Sequence, residues 1–130
     1  MSRIEHVALW THDLERLRDF YVAYFDARAG ERYVNAGKGF ESVFLSFDGG
    51  ARLEIMRSTQ LELATSPPGS QRHGLTHLAV AIGSKQGVDE LTRRLAADAH
   101  RVVDGPRRTG DGYYESIVLD PDGNRIEITA

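Results

Sequence analysis

The hydrophobic pattern of the chain occurs twice, once in the N-terminal half and once in the C-terminal half. Each copy opens with a short apolar segment that contains one histidine, residues 4–10 in the first copy and 75–82 in the second. Apolar residues at helical spacing follow in both copies, over 14–25 and 88–95. The pattern therefore predicts a strand and then an amphipathic helix in each half.

Each copy then closes with a predicted hairpin. The six residues of 40–45 match those of 114–119 one for one, and glycine or asparagine follows each set at a position suited to a tight turn. An Arg-apolar-Glu-apolar sequence lies in both of the strands that complete the hairpins. These strands are predicted over 51–56 and 124–129.

Strand, helix and three strands in each half predict an α+β fold of two tandem βαβββ modules. A chain of 130 residues has room for one domain of this kind. We expect the first module at 1–57, a polar linker at 58–73 and the second module at 74–130. The linker contains Ser66-Pro67-Pro68-Gly69-Ser70, a composition typical of connecting segments.

Composition and charge narrow the range of partners. The formal net charge of −3 gives no electrostatic reason to bind nucleic acid or an anionic membrane, which leaves a small molecule as the expected partner. The absence of cysteine excludes disulfides, thiolate nucleophiles and iron–sulfur clusters. The N-terminus has no signal-peptide pattern and no segment has the apolar length of a membrane span, so we expect a cytoplasmic protein.

The histidine and the glutamate of each copy share one face of the predicted sheet. Side chains alternate between the two faces of a strand. By this alternation His6, Glu54, His77 and Glu127 all lie on the face opposite the more strongly aliphatic one. The aliphatic face is expected to pack against the helices, which leaves the other face as the wall of a concave pocket.

Two imidazoles and two carboxylates at matched positions of a duplicated unit predict a divalent metal site. An ionised glutamate in the middle of a sheet is costly to desolvate unless a cation or hydrogen bonds compensate. Imidazole nitrogen and carboxylate oxygen suit Ni²⁺, Co²⁺, Zn²⁺, Fe²⁺ or Mn²⁺. The alternative is purely structural, with Arg52 and Arg125 pairing with the glutamates across the strands.

The sequence resembles the vicinal oxygen chelate superfamily, which includes glyoxalase I, fosfomycin and bleomycin resistance proteins and extradiol dioxygenases. The resemblance covers nearly the whole chain and is most specific at 4–9, 14–21 and 120–128 (Asp-Pro-Asp-Gly-Asn-Arg-Ile-Glu-Ile). It implies paired βαβββ modules whose curved mixed sheets surround a metal-binding cleft. It also implies a homodimer, in which the first module of one chain and the second module of another build each site.

The order His, Glu, His, Glu is most similar to bacterial-type glyoxalase I. By position, the resemblance implies that the metal ligands are His6, Glu54, His77 and Glu127. The implied reaction is the isomerisation of a thiol–aldehyde hemithioacetal to a hydroxyacyl thioester through an enediolate. In this reaction Glu127 is the implied base and Glu54 its counterpart on the opposite side of the substrate.

The substrate-binding residues depart from the glutathione-dependent members of the family. The resemblance places Trp10 and Ser58 where those members carry an arginine and an asparagine that hold glutathione. Trp10 and Met56 are therefore candidates for an apolar pocket. Arg107 and Arg108 lie in the glycine-rich segment 104–112, which we expect to be a mobile loop, and are candidates to bind an anionic substrate.

Two other functions remain open at the level of sequence. One is a metal-dependent oxygenase or thiol transferase of the same superfamily, which does not require Glu54 as a ligand. The other is a metal-free binding protein of the bleomycin-resistance type. A sequestering protein has no chemical need of all four ligands, so their presence favours the glyoxalase-type lyase or isomerase.

Overall fold

The computed structural model describes all 130 residues of the chain. They form two compact units, Met1–Ala64 and Thr65–Ala130, each with its own sheet and helix. No helix is long and apolar enough to span a membrane.

The first unit is a sheet of mixed strand direction with one α-helix. Its strands follow the order β1-β5-β4-β2, with β1 parallel to β5 and the other pairs antiparallel. The predicted second strand is present as two short pieces, β2 and β3, which both pair with β4. The elements are β1 (His6–Trp10), α1 (Leu14–Phe25), β2 (Arg28–Ala29), β3 (Tyr33–Asn35), a 3-10 turn (Ala36–Lys38), β4 (Phe40–Ser46) and β5 (Arg52–Ser58).

The second unit has the same plan with an unbroken second strand. Its strand order is β6-β9-β8-β7, again with the first and last strands parallel and the other pairs antiparallel. The elements are β6 (His77–Ala81), α2 (Lys85–Ala97), β7 (Val102–Arg108), β8 (Tyr114–Leu119) and β9 (Arg125–Thr129). The prediction of an α+β fold with two βαβββ modules is confirmed.

Both helices begin at capping side chains. The Asp13 carboxylate accepts a hydrogen bond from the Arg16 backbone N–H at 3.0 Å, and the Ser84 hydroxyl accepts one from the Gly87 N–H at 3.0 Å. Each bond satisfies a backbone donor that has no partner within its helix. The first helix ends at Asp26, whose φ of 53° lies in the left-handed region that terminates helices.

Each helix packs on the aliphatic face of its own sheet. In the first unit α1 contacts β4 and β5, whose Leu45, Leu53 and Ile55 are buried. In the second unit α2 contacts β8, where the Thr92 and Ser116 hydroxyls lie 2.7 Å apart in the core. The face that carries His and Glu in each sheet is therefore the one turned away from the helix.

The strand pairing corrects the residue-by-residue match of the two hairpins. In the first unit Leu45 pairs with Leu53, whereas in the second Val118, not Leu119, pairs with Ile126. The segments 40–45 and 114–119 are thus offset by one position in the two sheets. Because side chains alternate between faces, this single step moves Glu115 to the face opposite to that of Glu41.

The pairing also corrects the prediction of a mobile loop at 104–112. Residues 104–108 belong to β7, which is hydrogen-bonded to β8 with register shifts on both sides of Asp104. Only the tip, 109–113, lies outside the strands, and the Thr109 backbone N–H donates to the Tyr113 carbonyl there. Bulges of this kind let a glycine- and proline-containing segment remain in a sheet.

The contribution of the α1 cap to stability can be tested by substitution. Replacing Asp13 with alanine is expected to lower the free energy of unfolding by about 0.5–2 kcal/mol, because the Arg16 N–H loses its acceptor. Urea denaturation measures the change, with the exposed neighbour His12→Ala as the control. Equal stability of the two variants would show that the cap does not hold the helix.

Candidate active site

The first module brings His6 and Glu54 together on the face turned away from α1. Glu54 lies opposite Ala8 in the parallel pair of β1 and β5, so it is two positions along the strand from His6. The His6 Nε2 atom is 3.8 Å from Glu54 Oε1. The Glu54 side chain is mostly buried, with 16% of its surface exposed, whereas His6 is more accessible.

Glu5 holds the other ring nitrogen of His6. Its Oε2 atom lies 2.5 Å from His6 Nδ1, and its Oε1 atom accepts from Arg52 Nε at 2.8 Å. The hydrogen bond with His6, followed by that with Arg52, lowers the pKa of the Glu5 carboxyl. A carboxylate on Nδ1 fixes the orientation of the ring and leaves Nε2 directed to Glu54, an arrangement common around histidine ligands.

Glu5 was not among the candidates from the sequence, because these were residues that alternate with His6 within the strand. Strand β1 begins at His6, so the alternation does not apply to the residue before it. The carboxylate directly before His6 in the sequence was the signal that could have revealed this contact.

The second module repeats the arrangement with a shorter contact. Glu127 lies opposite Ala79 in the parallel pair of β6 and β9, the same relative register as in the first module. The His77 Nε2 atom is 3.1 Å from Glu127 Oε2, and the Glu127 side chain is 20% exposed. The duplicated strand order thus places one imidazole and one carboxylate side by side in each module.

A further glutamate, Glu115, lies beside Glu127. Glu115 pairs with Thr129 in the β8–β9 ladder, which places it on the face of Glu127, and only 8% of its surface is exposed. Burial raises the pKa of Glu115 to about 7, and the hydrogen bond and charge of Glu127 act in the same direction. The positive charge of Arg107 partly opposes this increase.

The sequence did not reveal Glu115, because the match of the two hairpins equated it with Glu41. Glu41 lies on the helix side of its sheet and forms ion pairs with Arg32 at 2.8 Å and Arg57 at 3.7 Å. By strand pairing the counterpart of Glu115 is Ser42, since these residues pair with Thr129 and Met56 respectively. The extra carboxylate therefore belongs to the second module alone.

The arginines that were expected to bind substrate lie on opposite sides of β7. Arg107 pairs with Glu115 in the ladder and Arg108 with Tyr114, so only Arg107 lies on the face of His77. The Arg107 Nε atom donates to Asp104 Oδ2 at 2.6 Å. The alternation of the strand therefore places Arg108 on the other face of the sheet from His77.

The expected pairing of arginines with Glu54 and Glu127 is not found either. Arg52 pairs with Glu5 and lies over the Phe44 ring at 4.0 Å, and Arg125 donates to the Gly69 carbonyl at 3.2 Å. Glu54 is left with the imidazole of His6 as its basic neighbour, whereas Glu127 has His77 and also interacts with the charge of Arg107.

Trp10 and Met56 lie on the face of His6, opposite one another in the β1–β5 pair. The Trp10 ring packs edge-to-face against Phe40, and Trp10 is 49% exposed. Apolar side chains thus continue the face of the first module beyond His6 and Glu54.

The side chains as placed form two His–Glu pairs and no group of three or more possible metal ligands. Each pair has the donor chemistry of a borderline divalent cation, one neutral nitrogen and one carboxylate oxygen. The Thr129 hydroxyl, on the Glu127 face, is buried without a hydrogen-bond partner. Each pair therefore places one nitrogen donor and one oxygen donor side by side within its own module.

Comparison with known proteins shows the family. Residues 3–128 match the Glyoxalase/Bleomycin resistance protein/Dioxygenase superfamily. The chain belongs to this superfamily. It is 29% identical over 130 residues to the uncharacterized protein YqjT of Bacillus subtilis, an alignment that covers 98% of both chains.

Solved structures share the fold at lower identity. A glyoxylase/bleomycin resistance protein/dioxygenase domain from Frankia sp. EAN1pec superposes with a TM-score of 0.82 at 19% identity, covering 99% of this chain and 97% of that one. Glyoxalase I from Zea mays superposes with a TM-score of 0.77 at 19% identity. The match covers 98% of this chain and 44% of the maize chain, so the present chain spans less than half of that enzyme.

The raised pKa of Glu115 predicts a pH-dependent stability. A carboxyl whose folded pKa of about 7 exceeds its unfolded value of 4.5 stabilises the metal-free protein at low pH, and this contribution is lost as the pH rises from about 4.5 to 7. Glu115→Gln stays neutral and is expected to lose less stability over this range than the unmodified protein.

Thermal denaturation in the presence of a chelator, between pH 5 and 8, measures this difference. The exposed Glu62→Gln is the control and should follow the unmodified protein. Parallel pH profiles for Glu115→Gln and the unmodified protein would contradict the assignment.

Proposed function

We propose that the protein is a divalent-metal-dependent lyase or isomerase of the glyoxalase type, acting on a small substrate with two neighbouring oxygens. The observation that carries the proposal is the repeated His–Glu pair, placed at the same register in both sheets on the face turned away from the helix. Each pair buries a carboxylate at a cost in free energy. The chance occurrence of two such pairs at matched positions is therefore much less probable than that of one.

His6, Glu54, His77 and Glu127 are the proposed metal ligands. Carboxylates that are about four-fifths buried favour a bound cation, and two of them balance the charge of a divalent ion. When bound, such an ion supplies Lewis-acid stabilisation of negative charge on the substrate oxygens. The proposed metals are Ni²⁺, Co²⁺, Zn²⁺, Fe²⁺ or Mn²⁺, and the proposed assembly is a homodimer.

Glu127 is the proposed base that removes the proton from the carbon next to the substrate carbonyl. Its surroundings support this role, because Glu115 offers a hydrogen bond to the carboxylate and His77 lies 3.1 Å from it. Glu54, in the corresponding position of the first module, is the proposed counterpart on the opposite side of the substrate. Arg107, on the Glu127 face, is the proposed contact for an anionic substrate group.

Metal analysis tests the ligand set. Elemental analysis of protein purified without a histidine tag is expected to find metal bound to the unmodified chain and to His73→Ala, an exposed histidine outside both pairs. His77→Ala is expected to lose most of it, because truncating a ligand removes one of four bonds to the ion. Retention of metal by His77→Ala at the level of His73→Ala would contradict the assignment.

Turnover tests the base. With methylglyoxal and a panel of thiols, Glu127→Gln is expected to lower kcat by about 10²–10⁴-fold, because the amide cannot accept the proton. Glu62→Gln, far from both pairs in sequence and exposed, should retain full activity. Unchanged turnover in metal-loaded Glu127→Gln would show that another group moves the proton.

A further inference from the structure

We propose that Trp10, Phe40 and Tyr33 form an aromatic platform that binds a planar, uncharged ring of the substrate. This inference rests on the proposed function, because the ring belongs to the molecule whose oxygens lie at the His6–Glu54 pair. It extends that function by naming the substrate class: a vicinal-oxygen compound with an aromatic substituent.

The rings of Trp10 and Tyr33 each pack against the ring of Phe40, and the three residues come from three different strands. The Trp10 and Phe40 rings are 6.3 Å apart at 89°, and the Tyr33 and Phe40 rings are 6.2 Å apart at 58°. Strand pairing places all three on the face of His6, because Trp10 lies opposite Met56, and both Met56 and Tyr33 lie opposite Ser42. The platform is thus part of the candidate active-site face.

The two outer rings are accessible. Trp10 is 49% and Tyr33 55% exposed, while Phe40 lies half-buried between them. A single exposed apolar residue needs no explanation, but adjoining exposed rings on a candidate site face are typical of ligand contacts. The edge-to-face packing on Phe40 also fixes the Trp10 ring before any ligand arrives.

One small molecule can reach both the platform and the His–Glu pair. Glu54 lies opposite Ala8, two residues from Trp10 on the same face. Two residues of strand span about 7 Å, the distance between a two-oxygen group and a ring joined by a short linker.

The strand residues around the platform indicate whether the bound ring of the substrate carries a charge. Met56, Ser42 and Ser58 flank the platform on its face and none is charged. This end of the sheet therefore favours an uncharged aromatic group over a carboxylate-bearing peptide thiol. In the second module Ala81 holds the position of Trp10, so the platform belongs to the first module only.

Calorimetric titration with stable oxygen-chelating probes tests the proposal. The probes are 2-oxobutanoate and its 4-phenyl and 4-cyclohexyl derivatives, which share one chelating group and differ in the ring. The phenyl compound is expected to bind about threefold to tenfold more tightly than the other two, because offset or edge-to-face ring contacts add to simple burial. Trp10 is the only tryptophan, so its fluorescence reports the contact directly.

Matched variants separate the platform from general apolar binding. Trp10→Ala and Tyr33→Ala are expected to abolish the phenyl preference, whereas Tyr113→Ala, an equally exposed aromatic in the second unit, should keep it. Equal affinity for phenyl and cyclohexyl, or an equal loss in Tyr113→Ala, would overturn the proposal. So would dissociation of a dimer by Trp10→Ala in sedimentation velocity, since a second copy would then cover the rings.

Titration of the metal-free protein separates failure of the aromatic platform from failure of the proposed function. Persistence of the phenyl preference in a chain that binds no metal would support the platform and contradict the metal enzyme. Metal binding by the four ligands without any ring preference would contradict the platform alone.

Discussion

The organisation of both modules depends on the placement of a carboxylate in the interior of a sheet face. Glu54 and Glu127 each have four-fifths or more of their side chain removed from water, and a carboxylate without a partner in such a place costs several kcal/mol. The parallel pairing of the first and last strands brings an imidazole to each of them. The neighbouring arginines are occupied elsewhere, by Glu5 and by the Gly69 carbonyl. Neither of these two arginines therefore forms an ion pair with Glu54 or Glu127.

The two modules share this frame but differ around it. In the first, the face continues into Phe44, Trp10 and Phe40, and Glu5 orients the histidine ring. In the second, it continues into Glu115 and Arg107, whose charges surround Glu127. The two modules thus share the placement of the His–Glu pair, which lies beside an apolar surface in the first module and beside ionisable side chains in the second.

The difference between the modules gives the two buried glutamates different neighbours. Glu127 lies beside a buried carboxyl, that of Glu115, whereas Glu54 has no such neighbour, because Ser42 stands at the matched position. Glu54 and Glu127 occupy the same register position in their modules but have different surroundings.

The sequence by itself determined the duplicated strand–helix–strand plan and the face shared by each histidine and glutamate. These features are local, because alternation along a strand and periodicity along a helix are written in adjacent residues. Tertiary structure alone decided the register of β8 on β9, the pairing of β7 that turned an expected loop into a strand, and the contact of Glu5 with His6. A one-residue shift between strands leaves the pattern of apolar residues almost unchanged but reverses the face of every side chain. For that reason Glu115 emerged only when the strands were paired.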